Sequence, residues 1–238
     1  MVVLSGGIRG EGAWLAGETA STQTIVIDAG HGGFDGGAVS KDGICEKDIN
    51  LNIALNLKEL AERDGWNVVM TRTEDVGLDE GGDARKRIRT RKTEDLRNRK
   101  KIIDETKPVL TVSIHLNSFQ EDGSVRGAQT FYPATASENK IVEESRKLAE
   151  NIQEHLISGL NDGTKRAALA KKDVLLLKDP KVPVVIVECG FLSNSEEASL
   201  LKTEEYQSKL SEFIYNGILA YCGKTRGENV FVLDSRKL

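Results

Sequence analysis

Two histidines and two glutamates are spaced so that a fold can gather them. His31 lies in Asp28-Ala29-Gly30-His31-Gly32-Gly33, directly after the apolar run Thr24-Ile25-Val26-Ile27. His115 lies in Ser113-Ile114-His115-Leu116-Asn117, and Glu188 ends the run Val184-Val185-Ile186-Val187, ahead of Cys189-Gly190. Glu46 stands just before a segment with helical spacing. Each has an ordinary structural explanation taken alone. A histidine at a strand end commonly serves a hydrogen bond, a glutamate ahead of a helix offsets the helix dipole, and the glycines around His31 can make a turn. Their coincidence changes the weighing. Open α/β sheets present functional groups just beyond the carboxyl ends of their strands, and all four residues fall at that edge.

Such a set suits metal-assisted hydrolysis. A catalytic zinc takes three protein ligands and keeps one position for water, and two His with one Glu is a set that hydrolases use. Zinc brings the pKa of water from roughly 16 to about 7, and a carboxylate outside the ligand set can act as general base and return the proton to a leaving amine. The third histidine, His155, sits beside Glu154 in the middle of a long helical segment and reads as a surface or half-buried helix residue. The three cysteines, Cys45, Cys189 and Cys222, form neither a disulfide framework nor a zinc-ribbon spacing. A cysteine nucleophile is the rival chemistry. Cys189 follows Glu188 on a strand, however, so the two side chains point to opposite faces.

The elements that must position these groups alternate. Apolar, β-branched runs predict strands at residues 24–28, 67–71, 109–115, 127–132, 173–177 and 184–188. Helices are expected at residues 48–63, with Asp48 as cap and Gly65 as stop, and at residues 94–107, stopped by Pro108. Two more are expected at residues 137–160, with the stripe Ile141, Leu148, Ile152 and Leu156, and at residues 195–221. The fold class is therefore α/β, a single-domain sandwich around a mostly parallel sheet. Residues 1–23 read as a flexible N-terminal segment, residues 24–222 as the one domain, and residues 223–238 as a tail. Within that tail the apolar run 230–233 fits an edge strand or a segment outside the domain.

With 238 residues, 39% of them hydrophobic, the chain can bury a sizeable core, and its net charge of −4 argues against a nucleic-acid binder acting through overall charge. The basic stretch at residues 85–101 lacks interleaved aromatics and reads as a solvated loop and helix face, with contacts to anionic peptides as the lesser alternative. No segment has the apolar length of a membrane span. The glycine-rich start lacks a positive region followed by an apolar one. Either the protein is cytoplasmic or an export segment precedes this chain.

The four blocks Ile27–Gly33, Glu46-Lys47-Asp48-Ile49-Asn50-Leu51, Ser113–Asn117 and Val187-Glu188-Cys189-Gly190-Phe191-Leu192-Ser193-Asn194 resemble, in order and spacing, the signature blocks of the zinc-dependent N-acetylmuramoyl-L-alanine amidases of the amidase-3 family. The resemblance implies a six-stranded sheet flanked by helices, zinc held by His31, Glu46 and His115, and Glu188 as the catalytic carboxylate. None of the four positions departs from the pattern. It also implies hydrolysis of the amide between N-acetylmuramic acid and L-alanine in peptidoglycan, outside the cytoplasm, with any membrane link made through an export segment. Residues 89–99 and 127–132 resemble more narrowly the germination-specific amidases that make muramic-δ-lactam in the spore cortex. An accessory protein is compatible with this reading. The alternatives are a cysteine peptidase of the cell wall and a catalytically silent peptidoglycan-binding protein, the latter disfavoured because a binder needs no general base.

Overall fold

The computed structural model describes residues 23–79, 87–134 and 139–227. The expected N-terminal segment up to residue 22, the run 230–233 and most of the tail lie outside the described residues, as do Arg85 and Lys86 of the basic stretch. In chain order the elements are β1 (Thr24–Ala29), α1 (Glu46–Arg63), β2 (Asn67–Met70), α2 (Ile88–Thr106), β3 (Leu110–Asn117), β4 (Gln129–Pro133), α3 (Lys140–Leu160), β5 (Leu169–Lys171), β6 (Val184–Phe191), α4 (Ser195–Leu201) and α5 (Glu204–Tyr221). One six-stranded sheet runs in the order β2-β1-β3-β6-β4-β5. Every pairing is parallel except β4 with β6. The mostly parallel α/β sandwich expected from the alternation is the one observed.

Side chains alternate across a strand, and the two faces of this sheet differ. Ile25, Ile27, Val112, Ile114, Val185 and Val187 turn to one face and pack in the larger core with residues of α1, α3 and α5. Val26, Val184 and Ile186 turn to the other, where they meet Ile103 of α2 and the pair Leu176 and Leu177. Burying an Ile or Leu side chain contributes about 1.5–3 kcal/mol, so the larger layer dominates the stability. The smaller face also carries Asp28, Thr111, Ser113 and Glu188, all buried. Polar groups this deep must be satisfied or used.

Several boundaries move for physical reasons. α1 starts at Glu46 with Cys45 in the capping position, and Asp48 is an exposed first-turn acid rather than the cap. α2 starts at Ile88, ahead of the expected 94. The strand expected at 173–177 is absent: Leu175–Leu177 curls into a short 3-10 turn, and the strand is instead β5. Asp173 and Asp179, in left-handed conformation (φ 62° and 47°), flank that turn and bend its leucines onto the smaller core. The single helix expected at 195–221 is two, because the Thr203 side chain accepts from the Tyr206 amide and starts a new helix there. The helix expected from 137 is described from Lys140, capped by Asn139, with 135–138 outside the described residues. No described helix is long and apolar enough to cross a membrane.

Candidate active site

β1, β3 and β6 deliver His31, His115 and Glu188 to one edge of the sheet, and the start of α1 brings Glu46 to the same place. After β1 the chain leaves the sheet through Gly30, and His31 takes a left-handed conformation (φ 60°), followed by Gly32 and Gly33 at positive φ (137° and 56°). A Cβ at Gly30 would collide with the His115 ring, so only glycine lets the loop pass there. His115 lies on β3, paired in register with Glu188 on β6. Glu46 opens α1, which sets its carboxylate under the two imidazoles.

Glu46 Oε1 is the meeting point. It stands 3.2 Å from His31 Nε2 and 3.0 Å from His115 Nδ1. The Leu116 amide donates to it at 2.9 Å and Asn50 Nδ2 at 3.1 Å, while Oε2 accepts from the Ala38 amide at 2.8 Å. One ligand-capable atom from each of His31, Glu46 and His115 falls within 4.8 Å of the others. The rings meet edge to face, 4.9 Å between centroids. On its far side, His31 Nδ1 bonds Asp35 Oδ2 at 2.9 Å. Burial works against charging the His31 ring, but hydrogen bonds to Asp35 and Glu46 raise its pKa to about 9. Burial likewise opposes ionising Glu46, yet the two histidines hold its carboxyl well below the usual carboxylate range.

Glu188 stands beside this cluster without joining it. Its Oε1 lies 3.5 Å from Lys171 Nζ, and its Oε2 is buried with no hydrogen-bond partner among the described residues. Glu188 and Lys171 line a cleft of about 260 Å³ together with His31, His115, Asp28 and Leu96. An unpaired buried oxygen on a cleft wall can take a proton from a bound molecule. Cys189 is fully buried on the opposite face, and burial, then the Glu188 charge, push its thiol well above the usual range. A cysteine nucleophile at that position has no access to the cleft. All three cysteines are free. His155 sits half-buried on α3, with Nδ1 against the Asn151 carbonyl, as a helix residue outside the site.

Beneath the cluster lies a network the sequence reading missed. Arg99 is almost wholly buried and bonds Asp28 at 2.7 Å and Asp95 at 2.5 Å. Asp28 also accepts from Thr71 at 2.7 Å and Ser113 at 2.5 Å. Burial alone would raise the Asp28 pKa; Arg99, Ser113, His115 and Thr71 together bring it down to about 2. Arg72 adds a second guanidinium, donating to the Ala29, Gly30 and Lys47 carbonyls at 2.9, 3.0 and 2.7 Å. The solvated basic face expected at 85–101 holds for Arg87, Arg89, Arg97 and Lys101, which are exposed, and fails in part: Arg99 is interior, Lys92 pairs with Asp35 at 2.8 Å, and Arg91 pairs with Asp79 while lying 3.8 Å over Phe34. The available signal was Asp95 and Arg99 at i,i+4 on the helix face of Ile103, opposite an Asp inside an apolar strand.

A parallel α/β sheet bearing a His/Glu/His cluster and a separate carboxylate at its carboxyl edge defines a hydrolase with a candidate metal centre. The chain belongs to the N-acetylmuramoyl-L-alanine amidase family, whose profile matches residues 25–220. It is 38% identical over 201 residues to the germination-specific N-acetylmuramoyl-L-alanine amidase of Bacillus subtilis (strain 168), covering 84% of this chain and 80% of that protein. Among solved structures it is similar to the CwlD amidase from Clostridioides difficile in complex with the GerS lipoprotein, with a TM-score of 0.79 and 43% identity over 85% of this chain and 99% of that one. An N-acetylmuramoyl-L-alanine amidase from Clostridium difficile 630 gives a TM-score of 0.70 at 29% identity, over 84% and 96%. The activity is hydrolysis of the muramoyl–alanine amide of peptidoglycan.

Proposed function

We propose that this amidase is zinc-dependent, with His31, Glu46 and His115 as ligands and Glu188 as the catalytic acid–base, and that it acts outside the cytoplasm on the spore cortex. The observation that carries the metal assignment is Glu46 Oε1 lying 3.2 and 3.0 Å from the two imidazole nitrogens. Zinc with bonds of about 2.0–2.1 Å separates tetrahedral donors by roughly 3.3 Å, so the donor set fits the ion. Lys92 pairs with Asp35, so Glu46 is the ionised carboxylate that either protons on the rings or a cation among them must balance.

When bound, zinc supplies Lewis-acid polarisation and activates water near neutral pH. The chain supplies the rest. Asp35 accepts from His31 Nδ1, which fixes the tautomer and aims Nε2 at the cluster. Glu188, with one oxygen free of protein partners, takes the proton of the attacking water and returns it to the alanine amine as the amide breaks. The backbone amides of Leu116 and Ala38 keep Glu46 in place throughout.

The cortex assignment, with muramic-δ-lactam formation as its outcome, draws on the germination-specific relative. An accessory protein is a proposed partner, since the Clostridioides difficile relative is described in complex with a lipoprotein. Residues 24–222 are the proposed catalytic domain.

Metal analysis and muropeptide mass spectrometry test these points together. Wild type should carry about one zinc and release stem peptides from cortex with the cut at the lactyl amide. His31→Ala should lose metal and activity together. Glu188→Gln should keep its zinc while kcat falls by at least about a hundredfold. Full zinc occupancy in His31→Ala, or zinc loss in Glu188→Gln, overturns the assignment of roles. Unaltered cortex muropeptides in spores lacking the enzyme overturn the cortex assignment.

A further inference from the structure

Three cations line the catalytic cleft, and one of them is differently held. Lys92 is drawn to Asp35 at 2.8 Å, and Arg99 to Asp28 and Asp95 at 2.7 and 2.5 Å. Lys171 has a single charged partner among the described residues, Glu188 Oε1 at 3.5 Å. Charge-assisted contacts of this kind ordinarily close to about 2.7–2.9 Å. An ammonium offers three donors, so most of the hydrogen-bonding capacity of Lys171 is unspent. Its side chain is 35% exposed, enough for a ligand to reach it.

The ammonium is nonetheless held in place. Lys171 ends the edge strand β5, opposite Pro133 of β4, and its Nζ lies 4.1 Å over the ring of Phe131. A cation seated on an aromatic face is worth about 0.5–1 kcal/mol at a partly exposed site, which fixes the head group before substrate arrives. Lys171 also forms, with Val174, the wall shared with a second cleft of about 370 Å³.

The side of the scissile bond on which Lys171 lies follows from its neighbour. Glu188 hands a proton to the amine that leaves, so the amine side of the amide must face Glu188, and the peptide extends from that amine. A cation 3.5 Å from Glu188 is then on the peptide side, not the sugar side. Stem peptides are anionic. We propose that Lys171 binds a carboxylate of the stem peptide beyond the first alanine, and so makes the enzyme select acidic stems over neutral ones. The inference rests on the amidase reading and on Glu188 as its acid–base.

Two synthetic muramoyl peptides that differ only in a free carboxylate or a carboxamide on the second residue give the test. Kinetics are measured for wild type, Lys171→Met and Lys171→Arg, each with a melting temperature to confirm folding. Wild type should favour the carboxylate by about tenfold or more in kcat/KM, as expected for a hydrogen bond between charged groups. In Lys171→Met that ratio should fall to within about twofold, carried mainly by KM, while Lys171→Arg restores part of it. A fall of both substrates in equal proportion would make Lys171 a support for Glu188 alone and overturn the proposal. So would wild type without preference, or a ratio unchanged by Lys171→Met. If wild type cleaves neither peptide although it digests cortex, the selection lies in the glycan and the proposal fails; if it cleaves no wall material at all, the amidase reading fails instead.

Discussion

Arg99 donates through Nη2 to the main-chain carbonyl of His31 at 2.5 Å, joining positions 68 apart in the sequence. The same guanidinium reaches the Ala29 carbonyl at 2.6 Å. Between them these bonds pin a loop whose histidine sits at φ 60°, a conformation that costs a non-glycine residue roughly 1–2 kcal/mol. The first histidine of the candidate metal centre is therefore aimed by a helix on the other side of the smaller core.

Replacing Arg99 with Lys keeps the charge but cannot reproduce the fork that serves Asp28, Asp95 and two carbonyls at once. Metal affinity should drop about 10–100-fold, the range for lost supporting contacts around ligands. Competition with a chromophoric chelator measures it. An affinity equal to wild type in a folded variant would remove Arg99 from the support of the site.

Asp28→Asn should destabilise the fold by about 3 kcal/mol near neutral pH, since it leaves buried Arg99 with Asp95 as its one remaining carboxylate partner. The pH dependence has a definite sign. The folded-state pKa of about 2 lies below the usual aspartate value of 3.8, so the pKa-linked share, about 2 kcal/mol, is present in full above the unfolded pKa and lost as pH falls toward 2. The stability gap between the two proteins, read from denaturant curves, should narrow by about 2 kcal/mol between about pH 5 and pH 2. A gap between them independent of pH would mean that Asp28 is not held ionised.

Gly30→Ala places a methyl group against the His115 ring. Overpacking of this kind costs about 1–3 kcal/mol, and moving the ring should separate its Nδ1 from Glu46. Loss of most bound zinc with a modest drop in melting temperature is expected. Retention of both would show that the loop gives way more easily than the ring.

Much of this arrangement was legible in the residues, and the exceptions have causes. The apolar runs before His31, His115 and Glu188 predicted strands that end at one edge, and they do. β5 was missed because Leu169-Ala170-Lys171 is too short and too exposed to leave an apolar pattern, whereas the Leu175–Leu177 run that imitates a strand is packed as a turn. Arg99 was read as solvated because its stretch is basic throughout; what buries it is Asp28, an acid on another element, and pairing across elements leaves no periodic trace. Lys171 was passed over for the same reason, its importance deriving from β4 and β6 alone.

Cys189 separates the amidase from a cysteine peptidase without reference to any metal. Its buried thiol should stay unreactive toward an aromatic disulfide reagent in the folded protein, while half-buried Cys45 reacts first and Cys222, whose thiol pKa is pushed up to about 12 by burial, reacts more slowly. Peptide mapping after timed labelling reads this directly, and rapid native labelling of Cys189 would contradict the buried placement.

Among the described residues β6 is the last strand in the sequence, yet it sits between β3 and β4, and β4 and β5 reach the rest of the described sheet only through it. The proposed metal donors all precede residue 118 and belong to the β1, α1 and β3 half, whereas Lys171 belongs to the β4–β5 half. β6 therefore joins the two halves, and the residue it carries at their junction is Glu188. The proposed acid–base and the proposed metal donors share one edge only in the closed sheet, so the proposed site is complete only once β6 stands between β3 and β4.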